Sequence, residues 1–250
     1  MNSNLKVVFF GTPDYLNPII KSLDEHFDLI KTIRSPKESL EEVKSLNPDV
    51  IVVASFGKII PQEIIEIPKL GAINVHPSKL PEYRGPSPIQ SQILDGVTDS
   101  AISFILMDKE MDHGPIIFQE PYEIKPNDTF ESLLISMFGK SADILPTLIQ
   151  SLADNKLNPI IQDDDHATFC KEIKKEDGYF DIENPPTLDI LNRMIRAYSP
   201  WPGTWTRWNN KIVKFLPEEK IQMEGKSPTD LKSFLNGYPT FPLKPEHLQA

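Results

Sequence analysis

Short unbroken apolar runs alternate, through the first half of the chain, with stretches whose apolar residues recur every three to four positions. Lys6-Val7-Val8-Phe9-Phe10 reads as a buried strand, stopped by Gly11-Thr12-Pro13. Residues 14–26 then carry Tyr15, Leu16, Ile19, Ile20 and Leu23 at helical spacing. Phe27 to Ile33 reads as a second strand and Ser39 to Leu46 as a short helix. Asp49 to Ala54 is continuously apolar after its first residue, the pattern of a strand covered on both faces. Pro61 to Ile65 reads as a helical turn and Gly71 to His76 as another strand. Ala101 to Met107 and Ile116 to Glu120 are the next strands. Asp128-Thr129-Phe130-Glu131 resembles a capping box that opens a helix running to Leu152.

This alternation predicts an α/β domain with a mainly parallel sheet. In such sheets ligands sit outside the carboxyl ends of the strands, which is where His76 falls. Beyond it, Asp154 to Asp165 is polar and reads as a linker. A helix over Leu188 to Ala197, Pro200-Trp201-Pro202-Gly203 and short β-type runs such as Lys211 to Leu216 follow.

The 250 residues suffice for one large domain or one domain with an appendage, and 39% hydrophobic with 25% charged residues is ordinary for a globular chain. A formal net charge of −10 argues against nonspecific nucleic-acid or membrane binding by the whole surface, while leaving room for a local basic patch. The single Cys170 excludes an intramolecular disulfide and cysteine-rich zinc sites. With no signal-peptide shape in Met1 to Lys6, a reducing, cytoplasmic setting is expected.

The chemistry concentrates in Asn74-Val75-His76-Pro77-Ser78-Lys79-Leu80-Pro81 and in Asp112 of the later connection. Neutral amide, imidazole and carboxylate are parts that acyl transfer uses. When an amine attacks a formyl carbon, negative charge builds on oxygen, and one well-placed donor lowers the barrier by about 3 kcal/mol. Asn74 and a protonated His76 supply such donors. Asp112 then either orients His76 or helps to remove the amine proton. Pro77, Pro81 and the run Tyr83 to Pro88 stiffen the loop beyond the strand, as the wall of a site would be. A G-x-G-x-x-G fingerprint is absent after the first strand, as are a P-loop and a G-x-S-x-G elbow. His76, Asp112 and His113 make a poor metal set, because adjacent side chains on an extended segment point apart, so no metal is expected.

At these residues the chain resembles the formyltransferases that use 10-formyltetrahydrofolate, and most of all the branch that acts on methionyl-tRNA. Phe10-Gly11-Thr12-Pro13 resembles that family's opening turn. Asn74 to Pro81 matches its N-x-H-x-S-L-L-P motif with Lys79 in place of a Leu. Tyr83-Arg84-Gly85, Pro88-Ile89-Gln90, Met107-Asp108 and Asp112-x-Gly114 continue the match. Lys174 to Gly178, Ile195-Arg196-Ala197, Pro200 to Gly203 and Phe234 to Gly237 resemble parts of its C-terminal domain.

The resemblance implies a Rossmann-like formyltransferase domain over residues 1–153, a linker over 154–166 and a smaller C-terminal OB-like β-barrel domain over 167–250. It implies Asn74, His76 and Asp112 as the catalytic trio. Ser78, Lys79, Leu80 and Pro81, with Phe56, Gly57 and Ile59, would border the folate. The implied reaction moves a formyl group from 10-formyltetrahydrofolate to the amino group of initiator methionyl-tRNA, carried out by a monomer without a metal or a membrane. The alternative acceptor is a nucleotide-linked amino sugar. It is raised by a departure from the family: where a long basic, Gly-rich loop usually reaches the tRNA, only Arg34-Ser35-Pro36-Lys37 and a short helix stand. The expected tRNA contacts are Arg34, Lys174, Lys175, Arg196 and Arg207. In the C-terminal domain, Lys171, Arg193, Lys211 and Lys214 would join Lys174, Lys175, Arg196 and Arg207 in a basic face.

Overall fold

In the computed structural model, which describes residues 4–243, the chain divides into two compact units. The first comprises Met1–Pro88, Asp99–Glu123 and Leu134–Lys171, and the second Ile89–Thr98, Ile124–Leu133 and Glu172–Ala250.

The first unit is built on a six-stranded sheet. In chain order its elements are β1 (Lys6–Phe10), α1 (Asn17–His26), β2 (Asp28–Ile33), α2 (Glu41–Leu46), β3 (Val50–Val53), α3 (Gln62–Ile65) and β4 (Ala72–His76). α4 (Pro88–Asp95) comes next in the chain but belongs, from Ile89 on, to the second unit; β5 (Asp99–Leu106), β6 (Ile116–Glu123) and α5 (Phe130–Ala153), the last in this unit from Leu134 on, follow. The strand order is β2-β1-β3-β4-β5-β6. β2, β1, β3 and β4 run parallel, and β5 is antiparallel to both of its neighbours, so β6 again runs with β4. The expected mainly parallel sheet is therefore present, with β5 as its reversed strand.

The apolar runs become the central strands because both faces are covered. Every residue of β3 is buried. Val8 and Phe10 of β1 pack with Ile51, Val53 and Ile64 in one cluster, as the two-residue period of a strand requires. Fully burying each such side chain contributes about 1.5–3 kcal/mol. Elsewhere in the unit α1 lies against α5: Tyr15, just ahead of α1, stacks on Phe138 with ring centroids 5.6 Å apart, and Ser22 Oγ donates to the Ala142 carbonyl at 2.6 Å. α5 is long and apolar enough to cross a bilayer, yet Met137, Phe138, Ala142, Leu145 and Ile149 are buried within the protein. Asp49 pins the start of β3 by accepting from Lys6 N at 2.8 Å and pairing with Lys69 at 2.8 Å.

Local readings shift by a residue at the start of α5. The reciprocal cap is Thr129 with Ser132: Ser132 N donates to Thr129 Oγ1 at 3.2 Å and Thr129 N to Ser132 Oγ at 3.0 Å. The expected pairing of Asp128 with Glu131 does not form, because Asp128 accepts from Lys125 N and Ser132 Oγ instead. α4 had no expected counterpart. Its apolar residues are few, and Ile89 and Ile93 carry the buried face.

The second unit holds α6 (Leu188–Tyr198), β7 (Thr204–Trp208), β8 (Lys211–Leu216), β9 (Lys220–Met223), β10 (Thr229–Asp230) and α7 (Leu231–Gly237). Its strands form an antiparallel row β10-β9-β8-β7. The segment at Tyr179 and Phe180 adds a further pairing beside β7, where Phe180 N donates to Trp205 O at 3.0 Å. Phe180, Leu191, Val213, Phe215, Phe234 and Phe241 form its core.

Candidate active site

β4 carries Asn74 and His76 on alternate positions, so both side chains leave the same face of the strand. β5 holds them in register, with Asn74 opposite Ile105 and His76 opposite Ser103. The connection between β5 and β6 returns Asp112 to this end of the sheet. Asn74 Nδ2 donates to Asp112 Oδ1 at 2.9 Å, and His76 Nδ1 lies 3.5 Å from the same oxygen. The other carboxylate oxygen accepts from Gly85 N at 2.9 Å. All three residues that sequence reasoning singled out therefore meet.

The histidine tautomer follows from its partners. Nε2 lies 2.9 Å from the Tyr83 carbonyl, which only accepts, so Nε2 carries a hydrogen. Nδ1 faces the carboxylate. Protonating Nδ1 creates an imidazolium–carboxylate contact in a setting where His76 is 4% exposed. Both donors expected at an oxyanion thus have protein partners here. Asn74 Nδ2 carries two hydrogens and spends one on Asp112.

The wall beyond β4 is held by side-chain oxygens and amides. Ser78 Oγ donates to Glu82 O at 2.7 Å, and Ser103 Oγ donates to Ser78 O at 2.6 Å. Gln119 Nε2 reaches Leu80 O and Ser103 Oγ, both at 2.8 Å. Leu80–Pro81 is a cis peptide. Tyr83 and Asp112 have φ of +60° and +52°, left-handed values that non-glycine residues adopt at a cost. Gly85 has φ +120°, and a Cβ there would strike the Cys170 carbonyl oxygen. Burial raises the Cys170 thiol pKa against the opposing Ser87 amide, which leaves the thiol a packing group.

The stretch expected as a linker, 154–166, runs along this same unit. Ile160 bridges to Ile116. Gln162 is buried and bonds Arg84 as well as the carbonyls of Asp112 and Gly114. Arg84, 4% exposed, pairs with Asp164 at 2.9 Å. His113 Nδ1 lies 2.6 Å from Asp108 Oδ2, and this hydrogen bond raises the His113 pKa despite partial burial. Gln162, the Gly85 amide and the Tyr83 carbonyl were not singled out from sequence. Two are backbone groups, and the third is a lone amide in an acidic run.

The residues expected to border a folate separate into two sets. Ser78 and Leu80 are buried in the wall, while Lys79 is exposed and pairs with Asp99 at 2.6 Å. Pro81 is partly exposed. Phe56 is buried edge-on against Phe10, and its carbonyl accepts from Thr12 Oγ1 at 3.1 Å. Gly57, at φ +71°, and Ile59, 80% exposed, carry this loop to the surface.

The expected tRNA contacts also divide. Arg34 is committed to Asn17, Pro13 O and Asp14. Arg196 donates to Asp128 O at 2.7 Å, and burial followed by the nearby Arg193 lowers its pKa. Lys174, Lys175 and Arg207 are exposed in the second unit. Lys214 lies opposite Trp205 across β7 and β8, and Arg207 is two residues along from Trp205 on the same face. Trp205 packs on Tyr179 and donates through Nε1 to Lys175 O. Cations and two aromatic rings therefore share this part of the second unit. No group of three or more metal-binding side chains occurs among the described residues.

Comparison with known proteins gives this arrangement a family. Residues 19–149 match the model described as formyl transferase, and residues 172–219 the model described as formyl transferase, C-terminal domain. The methionyl-tRNA formyltransferase of Caldanaerobacter subterraneus subsp. tengcongensis is 32% identical over 260 residues, covering 90% of this chain and 84% of that one. Five further curated relatives of that name are covered over 58–62% of their length. Among solved structures, methionyl-tRNA formyltransferase from Clostridium thermocellum shares the fold with a TM-score of 0.69 at 23% identity, covering 88% of this chain and 97% of that one. HypX from Aquifex aeolicus, solved in complex with tetrahydrofolic acid, shares it with a TM-score of 0.71 at 14% identity, over 95% of this chain and 48% of HypX. By the extent of these matches, this chain belongs to the formyl transferase family.

Proposed function

We propose that this protein transfers a formyl group from 10-formyltetrahydrofolate to the α-amino group of initiator methionyl-tRNA. The observation that carries the reading is the meeting of Asn74, His76 and Asp112 at the carboxyl end of β4, with Asp112 Oδ1 2.9 Å from the amide nitrogen and 3.5 Å from the imidazole Nδ1. The family membership and the relatives above 30% identity, which are methionyl-tRNA formyltransferases, support both the reaction class and the acceptor, and they weigh against a nucleotide-sugar amine.

Asn74, His76 and Asp112 act as follows in this reading. The amine nitrogen attacks the formyl carbon, and the carbonyl electron pair moves onto oxygen. The remaining Asn74 hydrogen stabilises that charge, joined by the imidazole once Nδ1 has taken up a proton. Asp112 and His76 Nδ1 take the amine proton between them, and collapse breaks the bond to the folate N10, which receives a proton. Ile59, Gly57, Lys79 and Pro81 are the accessible members of the expected folate border, Lys79 being paired with Asp99. In the second unit, Lys174, Lys175, Arg207 and Lys214, with Tyr179 and Trp205, offer charge and stacking surface to an RNA backbone. Arg34 and Arg196 already have protein partners in Asp14 and the Asp128 carbonyl.

The test offers 10-formyltetrahydrofolate with charged initiator tRNA and, separately, with a nucleotide-linked amino sugar. Formylated methionyl-tRNA is expected, with His76→Ala and Asp112→Ala lowering kcat by about 10²–10⁴-fold. Transfer to the sugar alone sinks the tRNA reading, and transfer to neither sinks both.

A further inference from the structure

We infer that Gln162 is a positioning residue that fixes Asp112 for catalysis by clamping its loop to the wall that runs through Tyr83, Arg84 and Gly85. Gln162 Nε2 donates to the carbonyls of Asp112 and Gly114 at 2.9 and 2.8 Å. Its Oε1 accepts from Arg84 Nε and Nη2 at 3.0 and 2.9 Å. Both amide hydrogens and both acceptor positions are therefore used, at a site where Gln162 is 6% exposed. A glutamate there keeps the bond to Arg84 and has no hydrogens for the two carbonyls. A methionine has neither end.

The two segments that Gln162 joins hold the groups around the reacting atoms. One carries Asp112, whose backbone sits at φ +52° and must be held there by its surroundings. The other carries the Gly85 amide, which donates to Asp112 Oδ2 at 2.9 Å, and the Tyr83 carbonyl, which fixes His76 Nε2. Arg84 lies between these two contacts and is itself anchored by Asp164. Loosening the clamp lets the carboxylate drift relative to Asn74 and His76. A displacement of about 1 Å costs roughly 100-fold in rate at a site that depends on orientation.

The inference rests on the formyl transfer proposed above, and its test has an arm that does not depend on turnover. Gln162→Glu and Gln162→Met are compared with the unmodified protein in three measurements: thermal midpoint, kcat and KM with 10-formyltetrahydrofolate and charged tRNA, and hydrogen exchange of the Gly85 amide by NMR. For each variant that stays folded, kcat is expected to fall by about 10–100-fold with both KM values within about twofold, and Gly85 exchange to accelerate by at least tenfold. A purely structural Gln162 would lower the midpoint while leaving kcat per folded molecule and Gly85 exchange unchanged, and that result overturns the inference. Should the unmodified protein transfer no formyl group, the proposed function fails, and Gly85 exchange alone decides: acceleration in the variants upholds the clamp, and no change overturns it.

Discussion

At the scale of single residues, the site is organised by which atoms are already spoken for. Asp112 accepts from Asn74 and from the Gly85 amide, and faces His76, so one carboxylate ties together three separate segments. Removing a buried partner in such a network costs more than the bond itself, because the orphaned group stays desolvated. His113, one position on, faces Asp108 at 2.6 Å and Asp164 at 3.6 Å. The hydrogen bond to Asp108 raises the His113 pKa above its ordinary 6.5. A raised folded-state pKa means that the folded protein binds the proton more tightly than the unfolded chain does. The contribution is fully present below about pH 6.5 and is lost as pH rises through the higher folded-state value. Urea unfolding of the unmodified protein and of His113→Asn should therefore differ more at pH 5.5 than at pH 9. Equal differences at both values would remove His113 from the proton linkage.

At the scale of elements, the apolar runs made β1, β3 and β4 legible because both faces of these strands are buried, and burial writes itself into composition. Asn74 and His76 were legible for a related reason: two polar residues at the end of such a run have no packing role to fill. The connection carrying Asp112 is equally legible, because apolar runs bound it on both sides as β5 and β6. What could not be read was the company these side chains keep. Gly85 N and Tyr83 O are main-chain atoms that any residue type would supply, and Gln162 is 50 positions from the Asp112 carbonyl that it holds. The cap at α5 reads one residue early in the sequence because Asp128 and Thr129 both have capping side chains, and only the structure shows that Thr129 is the one that accepts from the Ser132 amide. Element geometry also leaves no room for a side chain at Gly114, since a Cβ there would lie inside the contact radius of the Leu106 carbonyl oxygen at the end of β5. The strand edge is fixed by Leu106 N donating to Pro115 O at 3.0 Å, so the loop is the part that must move. Gly114→Ala is expected to cost about 1–3 kcal/mol in chemical unfolding, the range for overpacked sites, and to lower turnover by displacing Asp112. Native stability and native turnover in this variant would show that the loop relaxes without disturbing the site.

At the scale of the whole molecule, a chain with a net charge of −10 must bind a polyanion through a local exception to its own field. Many of its cations are neutralised in place: Arg34 by Asp14, Lys79 by Asp99, Arg84 by Asp164 and Lys140 by Glu120. In the second unit, by contrast, Lys175, Arg207 and Lys214 are exposed around the ring contact between Tyr179 and Trp205. Each phosphate that such a side chain neutralises releases counterions and adds about 0.7–0.9 to the downward slope of log affinity against log salt. Charged tRNA should accordingly bind more weakly as salt rises. Arg207→Glu combined with Lys214→Glu should flatten the slope by about 1–2 and weaken tRNA binding, while leaving the Kd for the folate within about twofold, because a formyl donor makes none of these phosphate contacts. Filter binding or fluorescence titration at several salt concentrations reads both quantities. An unmodified protein whose binding is indifferent to salt would contradict a phosphate-contacting acceptor and return the weight to a small one, since the compact turn in which Glu38 accepts from the Arg34 and Ser35 amides leaves no extended basic loop there to take over that role.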